Sequence, residues 1–399
     1  MSRNGLAPPG TAEKLHGSSS AMLDRGQEPF SPERLPGWWC GTANSQALPD
    51  CCLIIPTFKR PVELRNLLQH ILQMEETKPG SVPAEIVIVD GSPDAAAEDA
   101  VKSFVLQDCP FALKYVRIAP GLTRQRNVGI DASSADLVFF LDDDAVPELD
   151  YFRTIRAIFL GDTAKSIGAI GGCVTNEWDR PLIMRWRIRF LLGIIPRIEP
   201  MRYAHCGTSN PRSMLKPFRG IREVDLLPGC AFSFRREVFE SERFSNFFDG
   251  YSQGEDMEMS LRVRKRWKVV CAGDAKVEHR EAKSGRPASF AKGRMEVRNR
   301  MFIWRRYSST RATFLDKSRL LSDFGFLVLV DLAAFLRRPW RYASLLHGAG
   351  IVCSAIECAF HPPEFEEASH RVTYQFDFRA VVRPSGLIQL DQNVDSNQS

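Results

Sequence analysis

Short strand-like runs that alternate with segments of helical spacing constrain this chain more than any other feature. Leu53-Ile54-Ile55 is an apolar run closed by Pro56-Thr57, and Ile86-Val87-Ile88-Val89 is another closed by Asp90-Gly91-Ser92-Pro93. Residues 113–118 and 136–141 supply two more, the last running directly into Asp142, Asp143 and Asp144. Between them, residues 65–74, 95–106 and 123–132 read as helices; in the first, Leu64, Leu67, Leu68, Ile71 and Leu72 fall on one side. Strands alternating with helices imply a parallel α/β sheet. In such sheets ligands bind beyond the carboxyl ends of the strands. Thr57, Asp90 and the acid triplet lie at those ends.

The pattern changes near residue 165. Residues 167–174 and 226–234 read as strands, 255–266 as a helix, 268–271 and 275–277 as short strands, and 295–307 as a helix. Residues 180–222 are loop-rich and carry ten Lys and Arg against Glu199 within the span and Glu223 just after it. At 399 residues the chain is long enough for two or three units. The expected division is a mobile leader over 1–50, then half-domains over 51–165 and 166–310, a helical extension over 311–365 and a tail over 366–399. The leader is rich in Gly, Pro, Ser and charge and buries too little apolar surface to offset ordering entropy.

A composition 44% hydrophobic and 25% charged excludes a disordered chain, a collagen-like fibre and a polytopic membrane protein. The net charge of +5 does not mark a nucleic-acid binder, and no nucleic-acid partner is expected. None of the ten cysteines forms a Cys-x-x-Cys pair, which argues against structural zinc. Without a secretory signal, a reducing cytoplasm is the expected location.

Three groups carry chemistry. Adjacent carboxylates repel, so Asp142, Asp143 and Asp144 after a buried strand are either a solvated acidic turn or a site for Mg²⁺ or Mn²⁺. Gly254-Glu255-Asp256 is either a helix start, where acids are favoured, or a general base beside a hydroxyl. His279, after a short strand, is either structural or a nitrogen ligand completing a site begun by Asp144.

Together these segments resemble the inverting glycosyltransferases of family 2, over roughly residues 51–306. The resemblance rests on Ile54-Ile55-Pro56-Thr57-Phe58-Lys59-Arg60-Pro61, Ile88-Val89-Asp90-Gly91-Ser92, and Gly121-Leu122-Thr123-Arg124-Gln125-Arg126-Asn127. It rests also on the acid triplet with Val146-Pro147, on Leu227-Pro228-Gly229-Cys230-Ala231-Phe232, and on Gly254-Glu255-Asp256. It implies a GT-A fold: an α/β, Rossmann-like mixed sheet with flanking helices and a helical C-terminal extension. It also implies roles. Pro56, Thr57, Phe58, Arg60 and Asp90 would hold the nucleotide, with Arg124 and Asn127 on a loop closing over it. Asp142 and Asp143 would approach the donor, Asp144 and His279 would bind a divalent cation, Mg or Mn, and Gly229, Cys230 and Ala231 would line the sugar or acceptor. Asp256, with Glu255 beside it, would be the base.

The implied reaction moves a sugar, with inversion, from a nucleotide-sugar donor to a glycan or lipid-linked acceptor, as in cell-envelope polysaccharide synthesis. A UDP-sugar is the expected donor, with dTDP and GDP as alternatives. No Gln-x-x-Arg-Trp is present, so one sugar per acceptor is expected in place of polymerisation. The alternative function is a non-catalytic nucleotide-sugar-binding or scaffold protein of the same fold.

Two apolar stretches, 320–336 and 342–360, flank Arg337-Arg338-Pro339-Trp340-Arg341. The first is short of the roughly 20 residues a spanning helix needs and contains Asp323 and Asp331. Buried or interfacial helices are expected in place of spans. With the basic segment 184–195, they make a peripheral position on the inner face of the plasma membrane the alternative to a free cytoplasmic one.

Overall fold

The computed structural model describes residues 33–380 apart from 42–45, 106–108, 179, 249, 283, 285, 341 and 365–373. Its strands are β1 (Glu33–Cys40), β2 (Leu48–Thr57), β3 (Pro83–Asp90), β4 (Ala112–Arg117), β5 (Leu137–Leu141), β6 (Ala145–Pro147) and β7 (Ile167–Val174). They continue as β8 (Tyr203–Ala204), β9 (Thr208–Ser209), β10 (Ile221–Glu223), β11 (Ala231–Arg235), β12 (Lys268–His279) and β13 (Tyr374–Ala380). The helices are α1 (Pro61–Thr77), α2 (Ala96–Val105), α3 (Leu122–Asp131), α4 (Tyr151–Gly161), α5 (Met184–Leu191), α6 (Glu255–Val263), α7 (Ser289–Tyr307), α8 (Phe314–Arg337) and α9 (Ala343–Phe360).

One sheet takes the order β10-β12-β7-β11-β5-β2-β3-β4-β1-β13, with β6 added to β12; β8 and β9 form a separate ribbon. Its centre, β5-β2-β3-β4, is parallel, and β11 runs antiparallel to both β5 and β7. The apolar runs are continuous because helices cover both faces. Leu53 and Ile55 enter the cluster beneath α1, α2 and α4, while Cys52 and Ile54 enter the one beneath α3 and α6. Gly129 lets α3 sit close on β2, since a Cβ there would lie 2.3 Å from Ile54 Cγ2. The expected α/β mixed sheet with a helical extension is therefore what the chain forms.

Three expectations change. Residues 33–50 are not leader: β1 pairs antiparallel with β4, and Trp38 is buried against Tyr115 at 5.2 Å between ring centroids. Residues 1–32 lie outside the described residues. The tail forms β13, parallel to β1, with Tyr374, Phe376 and Phe378 packed on the core and Gln375, Asp377 and Arg379 alternating with them. The two short strands at 268–277 are one strand with a register shift between Cys271 and Lys276. The division at residue 165 falls inside one continuous sheet.

The second half adds an aromatic core. Phe140 on β5 stacks on Phe232 at 5.3 Å and meets Phe234, Phe239 and Phe244 at 6.0, 6.2 and 5.5 Å. This cluster ties β11 to the parallel sheet just beneath the acid triplet. Phe140→Ala is expected to lose ~3–5 kcal/mol of stability, read by denaturant unfolding, because the fully buried ring leaves a cavity.

Candidate functional site

A cavity of about 660 Å³ opens at the carboxyl ends of β2 and β5. Pro56, Thr57, Phe58, Arg60, Asp142, Asp143, Asp144, Gly229, Cys230, Glu255, Asp256 and His279 all line it. Segments far apart in sequence meet here for identifiable reasons. β12 pairs antiparallel with β6 so that His279 stands opposite Ala145. The Arg280 N–H donates to the Asp144 carbonyl at 3.0 Å, which locks the two turns together. Asn176 grips the His279 backbone from the other side, donating to its carbonyl at 2.6 Å and accepting from its N–H at 3.1 Å.

The acid triplet divides its work. The Thr57 hydroxyl donates to Asp143 at 2.8 Å, and Arg60 reaches Asp143 at 2.9 Å and Asp144 at 3.3 Å. Burial pushes the Asp143 carboxyl up to about 7 despite Arg60. Burial likewise raises Asp142, against the pull of Arg126. For Asp144 the burial effect is outweighed by His279, the Ala282 N–H at 2.7 Å and Arg60, so its carboxyl lies below the ordinary range.

His279 Nε2 stands 3.2 Å from Asp144 Oδ1. Burial alone would lower its pKa, but Asp144, the Cys230 thiol and Asp142 push it up to about 11. The ligand atoms of Asp142, Asp144 and His279 lie within 4.8 Å of one another. Apart from that ion-pair contact, buried Asp144 Oδ1 has no hydrogen-bond partner among the described residues, and neither has His279 Nδ1. Two carboxylates and an imidazole with unsatisfied donor atoms fit Mg²⁺ or Mn²⁺.

Opposite stands the start of α6. Gly254 takes a left-handed φ of 93°, which turns the chain into the helix. Asp256 accepts from the Gly229 N–H at 3.1 Å and from the Met257 N–H at 2.8 Å. A Cβ at residue 229 would lie 2.8 Å from Asp256 Oδ2, so glycine permits this close approach. Glu255 is held by Arg126 at 2.8 Å, and burial, with Asp256 adjacent, pushes its carboxyl up to about 8.

Several expected residues take other places. Asp90 is fully buried beside the cavity wall, accepting from Tyr115 Oη at 2.6 Å and the Ser92 N–H at 2.7 Å. Asn127 brackets the Phe244 backbone, donating to its carbonyl and accepting from its N–H, both at 2.9 Å. Ala231 is fully buried in β11, and Arg124 is exposed away from the cavity lining. None of these four lines the cavity.

Sequence reasoning passed over Arg126, Gln125 and Arg212, which do. Residues 124 and 126 are about 200° apart around a helix, so only one can face inward. Arg126 is that residue: it donates to Glu255, to the Gly229 carbonyl at 2.9 Å and to Asp142 at 3.4 Å, and it lies over the Phe232 ring at 4.9 Å. Gln125 donates to the carbonyls of Thr57 and Val89, both at 2.8 Å, and joins the ends of β2 and β3. Arg212 is fixed by both oxygens of Glu177, at 2.6 and 2.9 Å. The hidden signal was Gly121 followed by a helix with two arginines two residues apart.

Comparison with known proteins agrees with the resemblance. Residues 52–242 match the model of Glycosyl transferase family 2. A mannosyltransferase from Pyrobaculum calidifontis, solved with GDP-Man and Mn²⁺, is 15% identical over 81% of this chain and 90% of its own, with a TM-score of 0.46. Glucosyl-3-phosphoglycerate synthase from Mycobacterium tuberculosis, solved with Mg²⁺ and UDP, is 16% identical over 66% and 80%, with a TM-score of 0.41. GalNAc-T7, solved with UDP, GalNAc and Mn²⁺, is 13% identical over 80% and 59%, with a TM-score of 0.48. No curated protein matches the chain in sequence.

Arg126→Met is expected to cost ~1–3 kcal/mol in denaturant unfolding, because it leaves the buried Glu255 carboxyl and the Gly229 carbonyl without their donor. Adding Glu255→Gln is expected to restore part of that loss, which a double-mutant cycle measures.

Proposed function

We propose that this chain, a glycosyltransferase whose residues 52–242 form a family 2 domain of GT-A fold, moves a sugar with inversion from a UDP-sugar to a hydroxyl of a glycan or lipid-linked acceptor. The observation that carries the reading is one cavity with two unlike ends. One end gathers Asp142, Asp144 and His279; the other presents Asp256 on the first turn of α6.

The residues suit the chemistry in turn. Phe58 and Thr57 at the end of β2 offer an aromatic face and a polar edge for the nucleotide. Arg60, Arg126 and Arg212 bring positive charge toward a diphosphate. A divalent cation held by Asp142, Asp144 and His279 would balance the charge developing on the departing diphosphate.

Asp256 is the general base. Two backbone N–H groups fix the direction of its carboxylate before any substrate arrives. It takes the proton of the acceptor hydroxyl as that oxygen bonds to the anomeric carbon and the carbon–phosphate oxygen bond breaks on the opposite face. One displacement inverts the anomeric centre, and no covalent enzyme intermediate forms. Glu255 does not share this task, because its carboxylate is committed to Arg126. Cys230, beside Asp142 and His279, lines the wall where the sugar would lie.

The reading is tested first by thermal shift with UDP, GDP and dTDP and their sugars, with and without Mn²⁺. UDP with Mn²⁺ is expected to raise Tm most, and Asp144→Asn is expected to abolish the metal-dependent part. Asp256→Asn is expected to keep that shift and lose ~10²–10⁴-fold in transfer to a competent acceptor. Donor binding by the wild-type chain without transfer across a broad acceptor panel would make the protein a binder and not an enzyme of this reaction.

A further inference from the structure

The C-terminal helices present an apolar surface that the cavity does not use. On α8, Phe314, Leu321, Leu329, Leu332 and Leu336 are exposed at helical spacing. They form one stripe, and by the rise of an α-helix the 24-residue α8 is about 36 Å long. On α9, Leu345, Val352, Ile356 and Phe360 repeat the pattern. More than half of the exposed large apolar side chains among the described residues lie between Phe314 and Phe360. Single exposed leucines mean little, but two neighbouring helices with outward apolar stripes call for an occupant.

The acids that interrupt these helices in sequence do not interrupt the surface. Asp323 is buried between Arg189 of α5 and Arg300 of α7, with Arg300 at 2.8 Å. Asp331 turns to His347 on α9 at 2.6 Å, and His347 also faces Glu296 on α7 at 3.5 Å. The outward face of α8 from Leu321 to Leu336 is left without a charge. Its rim is cationic and aromatic: exposed Arg337 and Arg338 adjoin Trp340, 74% exposed, and Tyr342. On α5, which Arg189 ties to α8, exposed Arg185 and Arg187 accompany Met184 and Leu191. No carboxylate pairs with these four arginines among the described residues.

We propose that α8, α9 and the tip of α5 form a platform that rests on the surface of an anionic phospholipid bilayer. Apolar stripes bordered by arginines, Trp and Tyr match the acyl boundary and the negative headgroups above it. A water-soluble protein partner would need acids opposite the arginines and would leave the aromatic rim without its amphipathic environment. Spanning does not suit the helices. α9 is long and apolar enough by composition. It is nevertheless packed backbone to backbone on α7, where a Cβ on Gly350 would lie 2.2 Å from the Phe290 carbonyl and one on Gly293 2.1 Å from that of His347. Drawing α9 through a bilayer would break that contact and expose Glu296 and Asp331. The platform lies in the interface plane and stays fused to the catalytic module.

The test is vesicle sedimentation of the full-length chain. Binding is expected to phosphatidylcholine vesicles carrying about 30 mol% phosphatidylglycerol at low salt, to weaken in about 0.5 M salt, and to be far weaker without the anionic lipid. Arg337→Gln with Arg338→Gln is expected to weaken binding ~30-fold. Leu329→Asn, Leu332→Asn and Leu336→Asn together are expected to abolish it at low salt. Brominated acyl chains are expected to quench a fluorescence component that Trp340→Phe removes. Every variant is expected to keep the wild-type nucleotide thermal shift and far-ultraviolet circular dichroism, which shows that the chain is folded. A folded wild-type chain that ignores anionic vesicles, or binds them without Trp340 quenching, overturns the proposal. So does a stable dimer that the triple Leu variant dissociates, for then a second copy covers the stripes. Vesicle binding without any nucleotide shift would instead sink the transferase reading and leave the platform standing.

Discussion

A single buried cation holds the two ends of the site in register. Arg126 donates to a carboxylate at the end of β5, to one at the start of α6 and to the carbonyl of the Gly229 turn between them. Without it, the buried Glu255 carboxyl and the Gly229 carbonyl would lose a donor, and Asp142 one of the cations that offset its burial. Its own burial is tolerated because the guanidinium plane also lies over Phe232 and Phe244, at 4.9 and 5.3 Å. The aromatic cluster beneath the sheet and the acid cluster above it therefore meet at one residue. The end of β5, the Gly229 turn and the start of α6 are thus joined by one planar fork.

The charge of the site is arranged by contact order as well as by composition. Asp142, Asp143 and Asp144 are adjacent in sequence yet answer to different partners. Asp143 turns back to Thr57 and Arg60, Asp142 leans to Arg126, and Asp144 faces His279. Asp143 thus turns away, while Asp142 and Asp144 still converge within 4.8 Å of each other and of His279. Their repulsion persists there and is offset by the cations Arg126 and Arg60 and by His279.

Much of this was legible before the fold was known. The central strands, with Thr57 and Asp142 at their ends, follow from apolar runs broken by polar residues, and the sheet order then puts them together. His279 could be suspected, but its approach to Asp144 depends on the pairing of β12 with β6, a three-residue strand that no periodicity reveals. The resemblance names Arg124 for phosphate; sequence gives spacing without phase, and nothing local says that Arg126 is the arginine of α3 that lines the cavity. The resemblance gives Asp90 to the nucleotide; its carboxylate also accepts from Tyr115, a tertiary neighbour that no local pattern reveals. The leader and tail were misjudged for a related reason. Residues 374–380 alternate as a strand does, yet a lone alternating run has no meaning until a partner is supplied, and that partner sits at the other end of the chain.

The pairing of β1 with β13 has a further consequence for how the molecule comes to be made. β1 emerges early and can dock on β4 as soon as residues 112–117 exist. Its outer edge then carries unpaired N–H and C=O groups until residues 374–380 arrive, since among the described residues it is β13 that pairs with it. Such an edge is a template for strands of other chains. The interval of exposure is the time needed to synthesise the residues between β4 and β13, and it is closed by a contact of very high sequence separation, the slowest kind to form. β13 thus works as a fastener on β1: the edge of β1 is taken up only once residues 374–380 have been made, and β13 then forms the border of the sheet.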